Sequence, residues 1–358
     1  MSVVEAAATP SLPRIYWILM KPRVILLLQI TAVCAIAVHD MLAADSLRDL
    51  DFASLLRTSA VIIVGGTLAA GGSNAINMWY ESESDALMER TKDRPIPRGW
   101  ISPGHALLFG CIIALLGVLV VSLPVRGAWA WKAGFWCLFS VLFYVFVYTV
   151  LLKRRTAQNI VIGGVAGATP PLIGWAAAAG PSIHADEFAL DLSVFDLGST
   201  IPWLMFTLIF LWTPPHFWAL ALYRSEEYTK AGIPMLPSVK GAQRTLLEMK
   251  IYGFSLLALS SFPILFGELD ISFSVLTLLL GLWYLQSIFR IDVDEQLDQQ
   301  GRLPSSLSSF LTSMKYLAAM FATLVLVAAV QDPTLSLLLA CLALLLVRLA
   351  TARFIRTS

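Results

Sequence analysis

Long apolar runs separated by short polar breaks dominate the chain. Reading from break to break predicts helices at 24–43, 58–79, 105–124, 133–152, 159–180, 199–222, 250–267, 270–290, 314–331 and 333–350. Runs of about 18 to 22 apolar residues are long enough to cross a hydrocarbon core at about 1.5 Å rise per residue. The pattern therefore predicts an all-α, polytopic membrane protein with nine core transmembrane helices. The tenth run, "TLSLLLACLALLLVRLA", is short and Leu-rich and reads as an appended C-terminal span. This divides the chain into a short tail (1–13), an intramembrane domain (14–331) and the added span with its basic tail (332–358).

Composition removes the soluble alternative. Hydrophobic residues make up 58% of the chain and charged residues 14%, against about a quarter charged in a soluble domain. Mean hydropathy is +0.75. The charge is sorted by side. With the N-terminus in the cytoplasm, all but four of the 25 Lys and Arg face that compartment, the exceptions being Arg48, Arg57, Arg126 and Lys132. That is the positive-inside bias, and it favours the tenth span, which returns Arg348, Arg353 and Arg356 to the cytoplasm. The basic residues sit in short juxtamembrane loops, so nucleic acid is excluded as a partner. The N-terminus reads as neither a secretory signal nor a transit peptide, which points to a bacterial plasma membrane. Cys34, Cys111, Cys137 and Cys341 form no Cys-x-x-Cys pair and read as small buried side chains.

Three of the cytoplasmic segments carry chemistry. The first is "NAINMWYESESDALMERTKDRPIPRG", residues 74 to 99. If the second span continues as helix past Trp79, Asn77, Glu81 and Asp85 recur every four residues, each step turning only about 40° around the axis. Asn74 shares that flank. Carboxylates and amide oxygens stacked at a membrane boundary suit Mg²⁺, which takes one or two carboxylates and completes its shell with water and substrate phosphate. Arg90, Lys92, Arg94 and Arg98 follow, donors suited to diphosphate oxygens. Pro95, Pro97 and Gly99 fold that loop back over the carboxylates. Glu83 and Glu89 point elsewhere and read as solvated.

The second, "YTVLLKRRTAQNIVIGGVAGATPPLIGW" (148–175), places Lys153, Arg154 and Arg155 at the end of one span. A basic run there is also an ordinary topology signal. Tyr144 and Tyr148 lie one turn apart on one face and could line a cavity. Gly163, Gly164 and Gly167 read as close helix packing rather than a phosphate loop, since neither the preceding strand nor the following Lys is present. The third, "FLWTPPHFWALALYRSEEYTKAGIPMLPSVKG" (210–241), has Pro214 and Pro215 interrupting the sixth span beside His216. Arg224, Glu226 and Glu227 form a second charged cluster, with His216 and Glu227 on one helical face. Intramembrane ionisable groups usually have a functional partner, although a lone His can also hydrogen-bond a core carbonyl.

Acidic and basic clusters on one side suggest a metal–diphosphate site serving a long apolar substrate. Mg²⁺ and the cations would neutralise a leaving diphosphate, and the faces of Trp79, Tyr80, Tyr144 and Tyr148 could stabilise an allylic cation. The three segments together resemble the heme O synthase branch of the UbiA-type intramembrane prenyltransferases, over roughly residues 14 to 330. The resemblance implies about nine helices around a central cavity. It also implies transfer of the farnesyl group of farnesyl diphosphate to a vinyl group of protoheme IX (heme B), with addition of water and release of diphosphate. Heme-copper terminal oxidases use the product directly or as precursor of heme A, making a heme A synthase and the oxidase assembly machinery candidate partners.

Carried onto this sequence, the family's first acidic motif falls on Asn77, Glu81 and Asp85, with Glu81 and Asp85 as metal ligands. Arg90, Arg94, Lys153 and Arg154 fall on the diphosphate, and Tyr80, Tyr144 and Tyr148 on the cavity wall. Arg224, Glu226 and Glu227 occupy the second motif, as heme or metal ligands. His216 becomes a heme contact or a proton-transfer group. Glu81 stands where the superfamily more often has Asp, and the tenth span exceeds the family's usual length. Three other readings stay open: a related prenyltransferase acting on a quinone precursor or chlorin, a transporter of an anionic lipid or cofactor, and a non-catalytic assembly factor.

Overall fold

The computed structural model describes residues 10–87, 91–180, 192–225, 234–260, 263, 267, 269–299, 301–330, 332, 334–335 and 338. All regular structure among them is helical. A short helix, α1 (Leu12–Met20), turns through Lys21 into α2 (Pro22–Ala43); α3 (Phe52–Tyr80) leads through Glu81 into a single turn, α4 (Ser82–Asp85). Then come α5 (Pro103–Val121) and α6 (Trp131–Leu142), which runs on as a π-helix over Phe143–Leu152. α7 (Asn159–Ala168) and α8 (Pro170–Ala179) form one broken span, followed by α9 (Ile201–Tyr223). The remainder is α10 (Leu236–Lys240), α11 (Ala242–Leu259), α12 (Ile271–Phe289) and α13 (Pro304–Val330).

Local chemistry sets the starts. Pro occupies the first helical turn of α2, α5, α8 and α9, where its missing N–H costs nothing. Asp51 and Asp270 cap α3 and α12 by accepting from the Ser54 and Ser272 amides at 2.9 and 2.8 Å, satisfying otherwise orphaned donors. Among the described residues eight helices are long and apolar enough to span a membrane, which makes the chain a multi-pass membrane protein. α11 starts before the run expected at 250–267 because its first half carries Arg244, Glu248 and Lys250. α13 likewise begins at Pro304 rather than 314. The expected tenth span lies almost wholly outside the described residues.

Other expectations change. Pro214 and Pro215 do not interrupt the sixth span, since α9 runs through both. Thr213 Oγ1 donates to the Ile209 carbonyl at 2.7 Å within that stretch. The fifth span is broken instead, at Thr169–Pro170. Cys111, expected to be buried, is exposed on α5, whereas Cys137 is buried and Cys34 partly so.

The helices close into a ring, with α13 packing back against α2 and α9 packing on α7, α11 and α13. α3 and α5 run backbone to backbone. A Cβ on Gly72 would lie 2.4 Å from the Gly110 carbonyl oxygen and 2.6 Å from the Ala114 amide. Only small residues allow this approach, the usual currency of helix association in lipid. At one end of the ring Arg126 joins α2 to α3, gripping Asp40 with two nitrogens (3.0 and 2.6 Å) and Thr58 Oγ1 with a third (3.0 Å). Such a forked pair fixes geometry as well as charge. Inside the ring lies a largely apolar cavity of about 480 Å³, lined from α2, α3, the α6 π-segment, α7, α9 and α13.

Gly72→Val should lower the thermal midpoint in detergent, since backbone atoms cannot yield to the new methyls and overpacking costs about 1–3 kcal/mol. Gly104→Ala, with nothing within 4 Å of its new Cβ, should leave the midpoint unchanged.

Candidate active site

At the end of the ring opposite Arg126, three segments converge below the cavity. The first is the last turns of α3. Asn77 is fully buried there, and the helix ends at Tyr80 rather than continuing past it. The break costs little register: the Glu81 amide still donates to the Asn77 carbonyl at 3.0 Å, and the Asp85 amide to the Glu81 carbonyl at 2.8 Å. These are i→i−4 bonds, so Asn77, Glu81 and Asp85 keep one flank as their spacing required. All three are buried, Glu81 at 6% exposure and Asp85 at 1%.

The second segment is the loop after α4. Thr91 Oγ1 donates to the Asp85 carbonyl at 3.0 Å, and backbone bonds from Arg98 to Arg94 and from Trp100 to Pro95 tighten the turn. Arg94 folds back over the carboxylates, with Nη1 at 2.6 Å from Asp85 Oδ2 and 3.9 Å from Glu81 Oε2. Arg98 turns away to pair with exposed Asp93, and Lys92 and Glu83 are exposed. Arg90 and Glu89 lie outside the described residues.

The π-segment supplies the third part. Its i→i−5 register appears in the Lys153 amide donating to the Tyr148 carbonyl at 3.0 Å, and Thr149 Oγ1 closes on the Tyr144 carbonyl at 2.9 Å. π-segments recur at functional sites because they re-aim side chains. Lys153 Nζ contacts Glu81 Oε1 and lies 5.9 Å from the Tyr148 ring centre. Thr149 Oγ1 accepts from Asn77 Nδ2 at 3.2 Å, and the Tyr144 hydroxyl donates to Asn74 Oδ1 at 3.3 Å. The Tyr144 and Tyr148 rings stand 5.5 Å apart and both line the cavity. Gly163 makes room for Tyr148, since a Cβ there would lie 2.3 Å from the ring; the Gly run is packing. Arg154 reaches Ser84 from an exposed position.

A fourth participant, Lys21, carries no signal of its own in the sequence beyond its place among the basic residues of the cytoplasmic side. It sits at the α1–α2 corner with φ 55° and ψ 60°, the sole non-Gly residue with positive φ among those described. The following Pro22 disfavours the right-handed helical region for Lys21. Its Nζ donates to Asn77 Oδ1 at 2.8 Å, and Asn74 Nδ2 secures the corner by donating to the Met20 carbonyl at 2.9 Å. Burial, then the neighbouring Arg94 and Lys153 cations, pull its pKa down to about 7, while Glu81 and Asp85 pull the other way.

Some expected members stand apart. Tyr80 is 41% exposed, packs beside Trp79 and does not line the cavity. His216 lies in the α9–α13 seam, its ring stacked between Trp212 and Phe310 at 4.2 and 4.6 Å. Its Nδ1 is 2.6 Å from Ser313 Oγ. Ser313 donates its own proton to the Phe310 carbonyl, so His216 must donate through Nδ1, which leaves Nε2 as the acceptor nitrogen. Trp212, not His216, lines the cavity. Arg224 caps the end of α9, half-buried; Glu226 and Glu227 lie outside the described residues.

The donor set fits a hard divalent cation. Asp85 Oδ1 is buried and accepts no hydrogen bond from the described residues, while Glu81 and Asp85 approach the same Arg94 nitrogen. No group of three or more His, Cys, Asp or Glu suited to a metal occurs among the described residues. Two carboxylates suffice for Mg²⁺ when substrate phosphate and water fill the rest of its shell.

Residues 30–314 match the UbiA prenyltransferase family. This chain belongs to that family. It is 38% identical to a protoheme IX farnesyltransferase of Rhodopseudomonas palustris, over 90% of this chain and 96% of that protein. It is 42% identical to one of Beijerinckia indica, over 87% of each. The fold resembles that of a digeranylgeranylglyceryl phosphate synthase structure (TM-score 0.65, 14% identical, covering 88% of this chain and 98% of that one). It also resembles a UbiA homolog from Archaeoglobus fulgidus bound to DMAPP and Mg²⁺ (TM-score 0.54, 17% identical, covering 86% and 99%). The all-helical ring is therefore the family's architecture.

The Lys21 shift has a stability consequence. Its pKa is lower in the folded chain than in the unfolded one, so between pH 7 and about 10 the unfolded state binds more protons and stability rises with pH. The thermal midpoint of ligand-free protein should increase from pH 7 to pH 9, and Lys21→Met should flatten that rise.

Proposed function

We propose that this chain transfers the farnesyl group of farnesyl diphosphate to a vinyl group of heme B, with addition of water, giving heme O and diphosphate. The observation that carries this reading is the buried Glu81–Asp85 pair, ringed by Arg94, Lys153 and Lys21, at the base of a large apolar cavity. Polar leaving group and apolar chain have adjoining compartments. The farnesyltransferase relatives support the choice of acceptor, and the DMAPP- and Mg²⁺-bound neighbour supports the metal.

Glu81 and Asp85 would hold Mg²⁺, which supplies charge neutralisation for the departing diphosphate. Arg94, Lys153 and Arg154, with Arg90, bind its oxygens. Tyr144 and Tyr148 present ring faces to the allylic cation left when the carbon–oxygen bond breaks. The vinyl group attacks that carbon, and water adds to the resulting cation beside the porphyrin with loss of a proton. The cavity volume falls within the usual range for ligand sites, about 300–1,000 Å³, and its apolar wall keeps water from the farnesyl cation before the vinyl group reaches it. His216 supports the acceptor side through Trp212, on which it stacks. The cluster of Arg224, Glu226 and Glu227 holds the heme propionates through Arg224, or a second metal. The site end faces the cytoplasm of a bacterial cell, where the basic flanks lie.

Purified protein given heme B, farnesyl diphosphate and Mg²⁺ should yield a heme heavier by one farnesyl group plus water on mass spectrometry of extracted hemes. Chelation should abolish the product and Mg²⁺ restore it. Glu81→Gln and Asp85→Asn should each lower kcat by about a hundredfold or more, the scale of losing a preorganised electrostatic contact, while the protein still inserts. Near-normal turnover in both variants would refute the metal assignment.

A further inference from the structure

The charges around the acidic pair do not balance in the way their number first suggests. Asp85 is matched by Arg94 and Glu81 by Lys153, so both carboxylates are neutralised within the ligand-free chain. Lys21 then remains as a third cation, half-buried like the other two, and its hydrogen-bond acceptor is the neutral amide oxygen of Asn77. Repulsion from Arg94 and Lys153 outweighs the attraction of Glu81 and Asp85. A half-buried ammonium that touches no carboxylate among the described residues carries a desolvation cost, and this one also occupies a left-handed backbone position that side chains other than Gly adopt at some energetic expense. Two costs at one residue are the mark of a group held ready for something the ligand-free chain does not contain.

What it is held for follows from its place. Arg23, two residues on, lines the cavity, as do Asn74 and Tyr148, so the α1–α2 corner adjoins the charged end of the cavity. Asn77 Oδ1 ties the amine to the flank that carries Glu81 and Asp85. We propose that Lys21 is a diphosphate-binding residue, the surplus cation of a preformed anion site whose other positive charges are already spent on carboxylates. Glu81 and Asp85 would hold the metal, and their partners Arg94 and Lys153 would have to leave them to reach the diphosphate; Lys21, which pairs with neither carboxylate among the described residues, would not. This rests on the farnesyl diphosphate reading above, and assigns the first contact of that substrate to the N-terminal corner rather than to the two basic loops.

The test uses the full chain in detergent. Lys21→Met keeps the side chain's length and the backbone demand while removing the charge. It should raise KM for farnesyl diphosphate about ten- to hundredfold, the value of one charge-assisted hydrogen bond, with KM for heme B unchanged. The thermal midpoint of the ligand-free variant at pH 7 should equal or exceed that of the wild type, because an uncompensated charge has gone. Lys21→Arg should recover part of the affinity. An unchanged KM for farnesyl diphosphate would overturn the proposal. So would a lowered midpoint accompanied by loss of activity that Lys21→Arg does not recover, since that is how a structural lysine behaves. Binding of the unreactive farnesyl thiolodiphosphate, measured without heme, separates the two readings. A wild type that binds it but forms no farnesylated heme overturns the acceptor alone, and the Lys21→Met affinity still decides the lysine.

Discussion

Burying two carboxylates at the edge of an apolar compartment is the constraint around which this molecule is built. Glu81 and Asp85 lose almost all their water, and an ionised carboxylate in such surroundings must be paired. Arg94 and Lys153 are delivered from two different loops to do this. Each delivery has a visible device behind it. A Pro-rich turn folds Arg94 back, and a π-segment re-aims the end of the α6 span so that Lys153, Thr149 and both cavity tyrosines point inward. The ring of apolar helices supplies the dry wall that makes these interactions strong, and the small-residue seam between α3 and α5 keeps that wall rigid.

Much of this could be read in the sequence, for reasons that differ from element to element. The spans were legible because lipid leaves the apolar run as the main signal, and most boundaries fell within a few residues. The helices expected at 250–267 and 314–331 began earlier because their first turns lie outside the apolar run, charged in α11 (Arg244, Glu248) and Ser-rich in α13. The shared flank of Asn77, Glu81 and Asp85 followed from i, i+4 spacing and survives the helix break at Glu81, because two backbone bonds bridge it. Its assumed continuation past Trp79 does not, and with it goes the inward placement of Tyr80.

Other features had no local signal. The π-segment contains neither Pro nor Gly, so nothing in "FYVFVYTVLL" separates it from an ordinary helix. Pro214 and Pro215 suggested an interruption, yet α9 absorbs both while Thr169–Pro170 breaks its span; tertiary packing decides which proline ends a helix. Lys21 was hidden by its company. A Lys-Pro-Arg flank at the start of a first span is what topology alone would place there, and only the Asn77 contact and the left-handed corner set it apart.

The forked Arg126–Asp40 tie at the far end has a further consequence. A transporter must expose its site first to one side and then to the other. Here the groups that surround Glu81 and Asp85 gather at one end, and at the opposite end Arg126 joins three segments. On the farnesyl-transfer reading the molecule would work as a cup rather than a corridor: a diphosphate released at the charged end would leave by the side it entered, and each catalytic cycle could close without the helices ever trading places.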